Sequence, residues 1–379
     1  MATALYSCFA IAAPGLEPIV ARELTALGEQ PEIEDGGVSW EGDARSLMRA
    51  NLWLRAASRV LVRVAQFKAT AFYELEQRAK KIPWDRFVAA GRGADFRVTA
   101  RKSKLYHSDA IAERLLSALA SRLPARPRAE SGNRSAESQL FIARVFRDEF
   151  TISADTSGDL LHMRGYRLDV GKAPLRETLA AALLLATEWT GATPLLDPFC
   201  GSGTIPIEGA LIARRLAPGL NRRFAFTEWP EFDAKTWTAI LADAKTIALA
   251  ASPISILGSD RDAGAIESAR ANAERVGVAG DVQLAARAIS AVEPPSTPGL
   301  VATNPPYGVR VSSESDLRNL YARFGAVLRD RCAGWRVAMY SAEPRLTKQI
   351  ALPFTEMLQT TNGGIKVVGL IADVPDSSM

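Results

Sequence analysis

The sequence is poor in the residues that build disulfide frameworks and metal centres. Its 379 residues include three cysteines and two histidines. Cys8, Cys200 and Cys332 lie far apart, without the paired spacing of disulfide-bonded or zinc-binding cysteines. We therefore expect no metal site, and we expect reduced thiols, which are typical of the cytoplasm.

Long hydrophobic runs are absent as well. No stretch of about 18 apolar residues occurs, so the sequence predicts no membrane span. The first residues, MATALYSCFAIAAPG, contain no Lys or Arg, and the charged start of a secretory signal is therefore missing. With 47% hydrophobic and 23% charged residues, the composition indicates a globular protein of about two or three domains.

The net excess of positive charge is small overall but concentrated in one region. The net charge is +4, yet between Arg97 and Arg147 eleven Lys or Arg stand against four Asp or Glu. Such a patch is typical of a nucleic-acid-binding surface, although a solvated helix face explains the same bias equally well. The predicted strand DFRVTARKSKLY has a basic exposed face, and the helix after it opens on Ser108 as a candidate N-cap.

The secondary-structure pattern changes part-way along the chain. Before about residue 165, short strands alternate with amphipathic helices in an α+β pattern, interrupted by a polar segment at 124–139 that we interpret as an exposed loop. After a boundary near 167–174 the pattern becomes β-α-β with Ala-rich helices. That second pattern predicts a doubly wound parallel sheet.

A glycine motif, DPFCGSGTIPIEGA, follows a short apolar strand and precedes a helix. Gly201 and Gly203 would let the backbone approach a ligand at a helix N-terminus. Residue 206 is Pro, so the motif is neither G-x-G-x-x-G nor a Walker A loop, and alone it indicates a nucleotide-like ligand only weakly.

A second strand ends at Asp260, where a carboxylate can accept both hydroxyls of a ribose. Asp262 is either part of that site or the N-cap of the next helix. The long gap before Asp260 contains APGLNRRFAFTEWPEFDAKTW, which we interpret as an insertion over the site. Its Trp229 and Trp237 either cap a ligand or anchor the insertion, and we favour anchoring.

A third motif, VATNPPYGVR, places an amide, two prolines and an aromatic ring at the end of a strand. A nucleobase amine is a poor nucleophile because its lone pair is delocalised into the ring. The Asn304 side-chain oxygen and the Pro305 carbonyl would accept its two N–H groups and make that lone pair available. Pro306 would stiffen the turn and Tyr307 would stack on the base. No side-chain base is needed, because the methylated aminium ion is acidic by itself.

In this order the three motifs resemble the class I S-adenosylmethionine (SAM)-dependent amino-methyltransferases. The further stretches GYRLDVGKAPLRETLAAALL and PGLNRRFAFTEWPEFD extend the resemblance over nearly the whole chain. They are similar to the THUMP-domain RNA methyltransferases, in particular the guanine-N2-methylating half of the bacterial 23S rRNA enzymes in a single-methyltransferase form. The resemblance implies a Rossmann-like α/β methyltransferase domain at 166–379, preceded by a ferredoxin-like module at 1–55 and a THUMP RNA-binding domain at 56–165.

The resemblance also implies roles for individual residues. It assigns Asn304, Pro305, Pro306 and Tyr307 to catalysis at the target amine, and Asp260 to the ribose of the SAM cofactor. Arg101, Lys102, Lys104 and His107 would contact RNA phosphate. Asn304 would also contact the cofactor. The other expected cofactor contacts are Arg176, Thr178, Asp197, Phe199, Cys200, Gly201, Gly203 and Thr204.

One departure and several alternatives remain open. Where related enzymes have an Asp that reads the cofactor adenine, this chain has Ala286, Arg287 and Ala288. Either backbone groups read the adenine or cofactor affinity is reduced. We expect a cytoplasmic monomer that acts on rRNA. The alternatives are tRNA, a DNA adenine amine, a protein glutamine, or a non-catalytic RNA-binding assembly factor.

Overall fold

The computed structural model describes residues 5–123, 138–167, 175–307 and 314–376, and these residues form two seven-stranded sheets. Most of the loop predicted at 124–139 lies outside the described residues, but its last two residues belong to a strand and not to a loop. Most of the predicted domain boundary and the end of the VATNPPYGVR motif also lie outside the described residues.

The first sheet contains the N-terminal strands in the order β2-β3-β1-β4-β7-β6-β5. Four helices pack on it through apolar positions at helical spacing, as the sequence predicts. The strands and helices are β1 (Tyr6–Ala12), α1 (Glu17–Ala26), β2 (Glu32–Glu34), β3 (Gly37–Gly42), α2 (Ala44–Trp53), β4 (Ala57–Lys68), α3 (Phe72–Ala79), β5 (Gly93–Arg101), α4 (Ser108–Ala120), β6 (Ser138–Phe146) and β7 (Glu149–Asp155).

The two expected N-terminal modules share this one sheet. Strand β4 pairs with β1 on one side and with β7 on the other, both antiparallel. Backbone hydrogen bonds therefore run without a break from the first module into the second. The boundary between residues 55 and 56 remains a prediction, but it marks no gap in the sheet.

The predicted basic strand is β5, which pairs with β6 in parallel. The cap predicted for the following helix is wrong: α4 begins at Ser108 itself, His107 occupies the cap position, and no side chain there makes a capping hydrogen bond. The helix is instead stabilised by its buried face, which includes Ile111, Leu115 and Leu119.

The second sheet has the order β10-β9-β8-β11-β12-β14-β13, and the first five strands of that order are parallel. Strands β14 and β13 close it as an antiparallel hairpin. Its elements are α5 (Glu177–Ala186), β8 (Leu195–Asp197), α6 (Thr204–Ala213), α7 (Ala234–Thr246), β9 (Ile256–Asp260), α8 (Ala263–Val276), β10 (Val282–Ala286), β11 (Leu300–Thr303), α9 (Glu314–Arg331), β12 (Arg336–Ser341), α10 (Pro344–Thr347), β13 (Thr355–Asn362) and β14 (Ile365–Asp373).

This is the doubly wound α/β arrangement that the sequence predicts. Two of its parallel strands, β9 and β10, follow β8 to one side, and β11 returns to the other side of β8. The order of the strands therefore reverses between β8 and β11, and ligands bind at such a switch point beyond the carboxyl ends of the strands. One buried apolar cluster runs through both sheets, and a second lies beneath α9.

The insertion between α6 and α7 lies at the junction with the N-terminal sheet and does not cover the switch point. Trp229 Nε1 donates a hydrogen bond to Gln139 Oε1 at 2.8 Å, and the Phe226 amide donates to the Thr156 carbonyl at 3.2 Å. Trp237 packs edge-on against Phe226, with ring centroids 5.2 Å apart. Both tryptophans are therefore anchors, as favoured above, but the predicted position of the insertion over the site is wrong.

Candidate cofactor and target-base site

The glycine motif forms the turn between β8 and α6 at the switch point. Gly201 and Gly203 adopt φ values of +51° and +83°, a region that favours glycine. The Cys200 amide donates to the Ser259 carbonyl at 2.9 Å, which ties the turn to β9. A Cβ atom at Gly201 would point into open space, whereas one at Gly203 would meet the Ala269 Cβ at 2.9 Å. Gly201 thus faces outward and Gly203 packs inward.

The Asp260 carboxylate lies beside this turn at the end of β9. It accepts hydrogen bonds from the Gly201 amide and the Asp262 amide, each at 3.0 Å. A carboxylate offers about four lone-pair positions, so two remain for ribose hydroxyls. Asp262 is the N-cap of α8, because its Oδ1 accepts from the Gly264 amide at 2.9 Å. The capping interpretation of Asp262 is confirmed.

Asp197 lies beneath the turn and not on its surface. Its side chain is buried, and Oδ1 accepts from the Thr303 hydroxyl at 2.6 Å and from the Phe199 amide at 3.1 Å. Burial raises the pKa of Asp197 to about 7, although both of these hydrogen bonds lower it. The carboxyl group therefore ties the end of β8 to the end of β11. Phe199 itself packs edge-on against Phe324, with ring centroids 5.3 Å apart.

The residues Asn304–Tyr307, which we name the target shelf, follow β11 directly. The Asn304 Oδ1 atom is buried and has no hydrogen-bond partner within the described chain. A buried acceptor without a partner costs about 1–3 kcal/mol, so a ligand N–H at this position would relieve that cost. Pro305 beside it is buried.

Two side chains from other elements hold the target shelf. The Tyr321 hydroxyl on α9 donates to the Pro306 carbonyl at 3.2 Å. Asn362 Nδ2 at the end of β13 donates to the Tyr307 hydroxyl at 3.0 Å. Tyr307 is half-buried, and burial raises its pKa, so the phenol is neutral near pH 7. Sequence reasoning missed both supports, and no sequence pattern relates them to the motif.

Arg176 and Thr178 lie at the start of α5, where Arg176 is the exposed cap residue and Thr178 is buried. The start of α5 is joined to the glycine turn by Arg167, which sequence reasoning also missed. Arg167 donates to the Thr204 hydroxyl at 2.7 Å and to the Leu175 carbonyl. Arg167 therefore connects the start of α5 to the turn, whereas among the described residues neither Arg176 nor Thr178 hydrogen-bonds to the turn itself.

The segment that lacks the usual adenine-reading Asp borders a cavity of about 280 Å³. Ser259 and Arg287 line this cavity, and the Arg287 amide donates to the Asp260 carbonyl at 2.8 Å. The Ser259 Oγ atom is buried without a hydrogen-bond partner among the described residues. The cavity therefore adjoins Asp260 and has an unused hydroxyl in its wall.

The four predicted RNA contacts lie together on the first sheet, at the end of β5 and in the loop before α4. Arg101, Lys102, Lys104 and His107 are all exposed. The Lys104 amide donates to Asp148 Oδ1 at 2.7 Å, which ties the loop to the β6–β7 turn. The arrangement is a basic surface held on a fixed backbone, as the sequence predicts.

The switch-point residues fit the two ends of SAM: Gly201 leaves open backbone beside the helix N-terminus, and Asp260 retains free lone pairs. The family model described as the RMKL-like methyltransferase domain matches residues 164–370. The chain belongs to this methyltransferase family. A second model, the RlmL ferredoxin-like domain, matches residues 7–61. The family is SAM-dependent, as the resemblance implied.

Two curated relatives are similar in sequence to this chain over nearly its whole length. The Synechocystis protein named "Putative RNA methyltransferase slr0064" is 36% identical over 94% of both chains. The Syntrophotalea carbinolica "Ribosomal RNA large subunit methyltransferase K/L" is 36% identical over 97% of this chain and 53% of its own length. The present chain thus corresponds to about half of that larger protein.

Two solved structures have the same fold at a TM-score of 0.87. One, described as "SMU.472, a putative methyltransferase complexed with SAH", is 30% identical and covers 100% of both chains. SAH is the demethylated form of SAM. The other, a "predicted N6-adenine-specific DNA methylase" from Listeria monocytogenes, is 33% identical over 97% of this chain and 96% of its own.

Two other classes of site are absent from the described residues. No cluster of three or more His, Cys, Asp or Glu side chains in the described ranges has the arrangement of a metal site. Within the same ranges, no helix combines the length and apolar character that a membrane crossing requires.

Proposed function

We propose that this methyltransferase transfers the methyl group of SAM to the exocyclic N2 amine of a guanine in structured RNA, with 23S rRNA as the preferred substrate. The observation that carries the proposal is the buried, unpaired Asn304 Oδ1 on the target shelf. The shelf follows β11, which pairs with β8, the strand that leads into the glycine turn. The names of the Synechocystis and Syntrophotalea relatives support RNA as the substrate class.

The target shelf accounts for activation of the amine. Asn304 Oδ1 and the Pro305 carbonyl would accept the two N–H groups of the guanine amine and release its lone pair from the ring. Tyr321 donates to the neighbouring Pro306 carbonyl, so one of the two lone pairs of that oxygen is already used. The Tyr307 ring would stack on the base. No catalytic His or carboxylate is required, because the methylated amine loses its surplus proton to water.

The cofactor would lie along the switch point. SAM supplies an electrophilic methyl group when it is bound. Asp260 would accept the ribose hydroxyls, and the backbone of Gly201 and Gly203 would border the methionine end, with Cys200 and Thr204 beside it. Arg176 and Thr178 would contact the cofactor carboxylate. The cavity bordered by Ser259 and Arg287 would receive the adenine in place of the missing Asp.

RNA would dock on the basic surface and present the guanine to the target shelf. Arg101, Lys102, Lys104 and His107 would contact phosphates, which gives affinity without sequence preference. A guanine inside a duplex cannot reach Asn304, so the base must be flipped out or lie in an unpaired segment. We also propose the domain boundaries 1–55, 56–165 and 166–379, a cytoplasmic location and a monomeric state.

The test is nucleoside analysis by mass spectrometry of rRNA and tRNA from cells with and without the gene. Loss of N2-methylguanosine from rRNA alone is the expected result, and an Asn304→Ala gene should fail to restore it. Loss of the same nucleoside from tRNA alone would keep the reaction and change the substrate. If every methylated RNA nucleoside is unchanged, the guanine-N2 proposal is wrong.

A second candidate function is methylation of an adenine amine in DNA. The observation that favours it is the Listeria monocytogenes structure, described as a DNA methylase. The target shelf would activate an adenine amine by the same two acceptors. Loss of N6-methyladenine from genomic DNA in cells without the gene, with RNA nucleosides unchanged, would establish this function instead.

A further inference from the structure

The tip of the β13–β14 hairpin, residues Asn362–Ile365, lies beside the target shelf. The two turn residues, Gly363 and Gly364, have φ values of +57° and +86°. A two-residue loop with positive φ at both positions is a type I′ turn, which matches the twist of the strands it joins. The tip is therefore a short two-residue turn, in which glycine supplies the positive φ values that the turn requires.

Asn362 connects this hairpin tip to the predicted base-stacking ring. Its Nδ2 atom donates to the Tyr307 hydroxyl at 3.0 Å, across 55 residues of sequence. Asn362 is itself buried at 9% exposure, so the bond is shielded from water and the amide has little freedom to turn away. The position of the Tyr307 ring is thus coupled to the position of the hairpin.

Ile365 lies on the same face of the hairpin as Asn362. The two residues are direct cross-strand partners. Side chains of such partners project from one face, with Cβ atoms about 4.5–5.5 Å apart. The Asn362 side chain reaches Tyr307, so Ile365 projects from the same hairpin face as the side chain that contacts this ring. Ile365 is nevertheless 50% exposed.

A single exposed apolar side chain needs no explanation by itself, because such residues are common on protein surfaces. Ile365 differs in its place, since it stands at the hairpin tip on the face from which Asn362 reaches the proposed base site. A base that leaves its stack exposes the faces of its neighbours, at a cost of a few kcal/mol. Proteins that distort nucleic acids often insert an apolar side chain, such as Ile, against an unstacked base.

We propose that the hairpin tip is a second substrate-contacting element, which rests on the proposed RNA methyltransferase function. Asn362 is a positioning residue that orients Tyr307 against the flipped guanine. Ile365 packs against the nucleotide next to that guanine and fills part of the space the base has left. The partner is therefore the RNA strand on the immediate flank of the target nucleotide.

The first experiment concerns Ile365. The full-length protein carrying Ile365→Ser is compared with wild type and with Thr361→Ala, an exposed residue of β13 that precedes Asn362. The substrate is total rRNA from cells lacking the gene, with methyl-labelled SAM. The expected result is an approximately tenfold fall in kcat/KM for RNA with Ile365→Ser, since contact with one base contributes about that much. The melting temperature and SAM affinity should be unchanged.

The second experiment concerns Asn362 and uses a double-mutant cycle. Asn362→Ala should lower kcat in the wild-type background but cause no further loss in a Tyr307→Phe background, because the hydroxyl it holds is then absent. An equal loss in both backgrounds would show that Asn362 acts only on the stability of the sheet, and would overturn its positioning role.

The outcomes separate this proposal from the one it rests on. If wild type methylates RNA and Ile365→Ser matches Thr361→Ala, the hairpin tip is not a substrate contact and only this inference is lost. If wild type transfers no methyl group to any RNA fraction, the proposed function and the inference are both wrong.

Discussion

The cofactor half and the target half of the site differ in how their polar groups are satisfied. In the cofactor half, protein groups are already bonded to one another: Asp260 accepts from Gly201, and Asp197 accepts from Thr303. In the target half, Asn304 Oδ1 is buried without a partner in the described chain. The turn of the first half is thus assembled before its ligand arrives, and Ser259 Oγ in its cavity wall is the polar group there without a partner among the described residues. The second half retains a buried acceptor that a substrate amine would satisfy.

The difference indicates how each half achieves its geometry. The cofactor half uses short bonds between adjacent strand ends, so its turn is held by the sheet itself. The target half uses side chains from outside the motif, Tyr321 and Asn362, which leave the Asn304 side chain unoccupied. An acceptor that must stabilise developing charge is most effective when it is held in advance and free of competing donors.

The largest effect should come from the open acceptor of the target half. Asn304→Ala is expected to lower kcat by about 10²–10³-fold, which is typical for loss of one preorganised polar contact to the reacting group. SAM affinity, measured by calorimetry, should fall much less than kcat, because Asn304 is one of several expected cofactor contacts. A parallel loss of SAM binding would show that the two halves are not distinct.

A pH-dependent effect should come from the buried carboxyl of the cofactor half. The pKa of Asp197 is raised to about 7, so between about pH 4 and 7 the native state retains a proton that the unfolded state has lost. Stability therefore falls as pH rises through this window, by up to about 4 kcal/mol.

The matched variant for this prediction is Asp197→Asn, which keeps an Oδ1 acceptor for Thr303 and Phe199 but does not titrate. Urea unfolding at pH 5 and pH 8 should show a smaller decline in the variant than in wild type. Equal declines in both proteins would mean that Asp197 does not titrate in this range in the folded protein.

A smaller effect is expected from Asp260, because part of its bonding is internal. Asp260→Asn should raise the Kd for SAM about 10- to 150-fold, since hydrogen bonds to a charged acceptor contribute about 1.5–3 kcal/mol. The kcat at saturating SAM should change much less. A variant with normal Kd and reduced kcat would place Asp260 in the target half and not in the cofactor half.

The smallest effect should come from residues outside both halves. The double variant Arg101→Ala, Lys104→Ala should weaken RNA binding. It should also reduce the slope of the binding constant against salt concentration, both as logarithms, by the equivalent of about one to two phosphate contacts. The matched control is Lys235→Ala, which removes an exposed basic residue on α7. Filter binding at several salt concentrations measures both quantities. Equal slopes in all three proteins would exclude the β5 surface as a docking site.

Much of the second sheet was predictable because its signals are local. Three signals each involve only a few residues. They are a glycine turn after an apolar strand, a carboxylate at the end of the next strand, and a strand that ends at a pair of prolines. Their order then specifies which strand ends meet at the switch point. The position of the insertion was harder to predict. Its aromatic residues indicate anchoring, but only the contacts of Trp229 and Trp237 show that it packs at the junction with the first sheet.

The sequence by itself determined the α/β class, the methyltransferase motifs and the basic surface, because hydrophobic periodicity, glycine and proline act over short distances. Only the tertiary structure decided which side chains hold those motifs. Thr303 bonds Asp197 across 106 residues and Asn362 bonds Tyr307 across 55. Such bonds depend on strand order and on the approach of surfaces that no local pattern encodes.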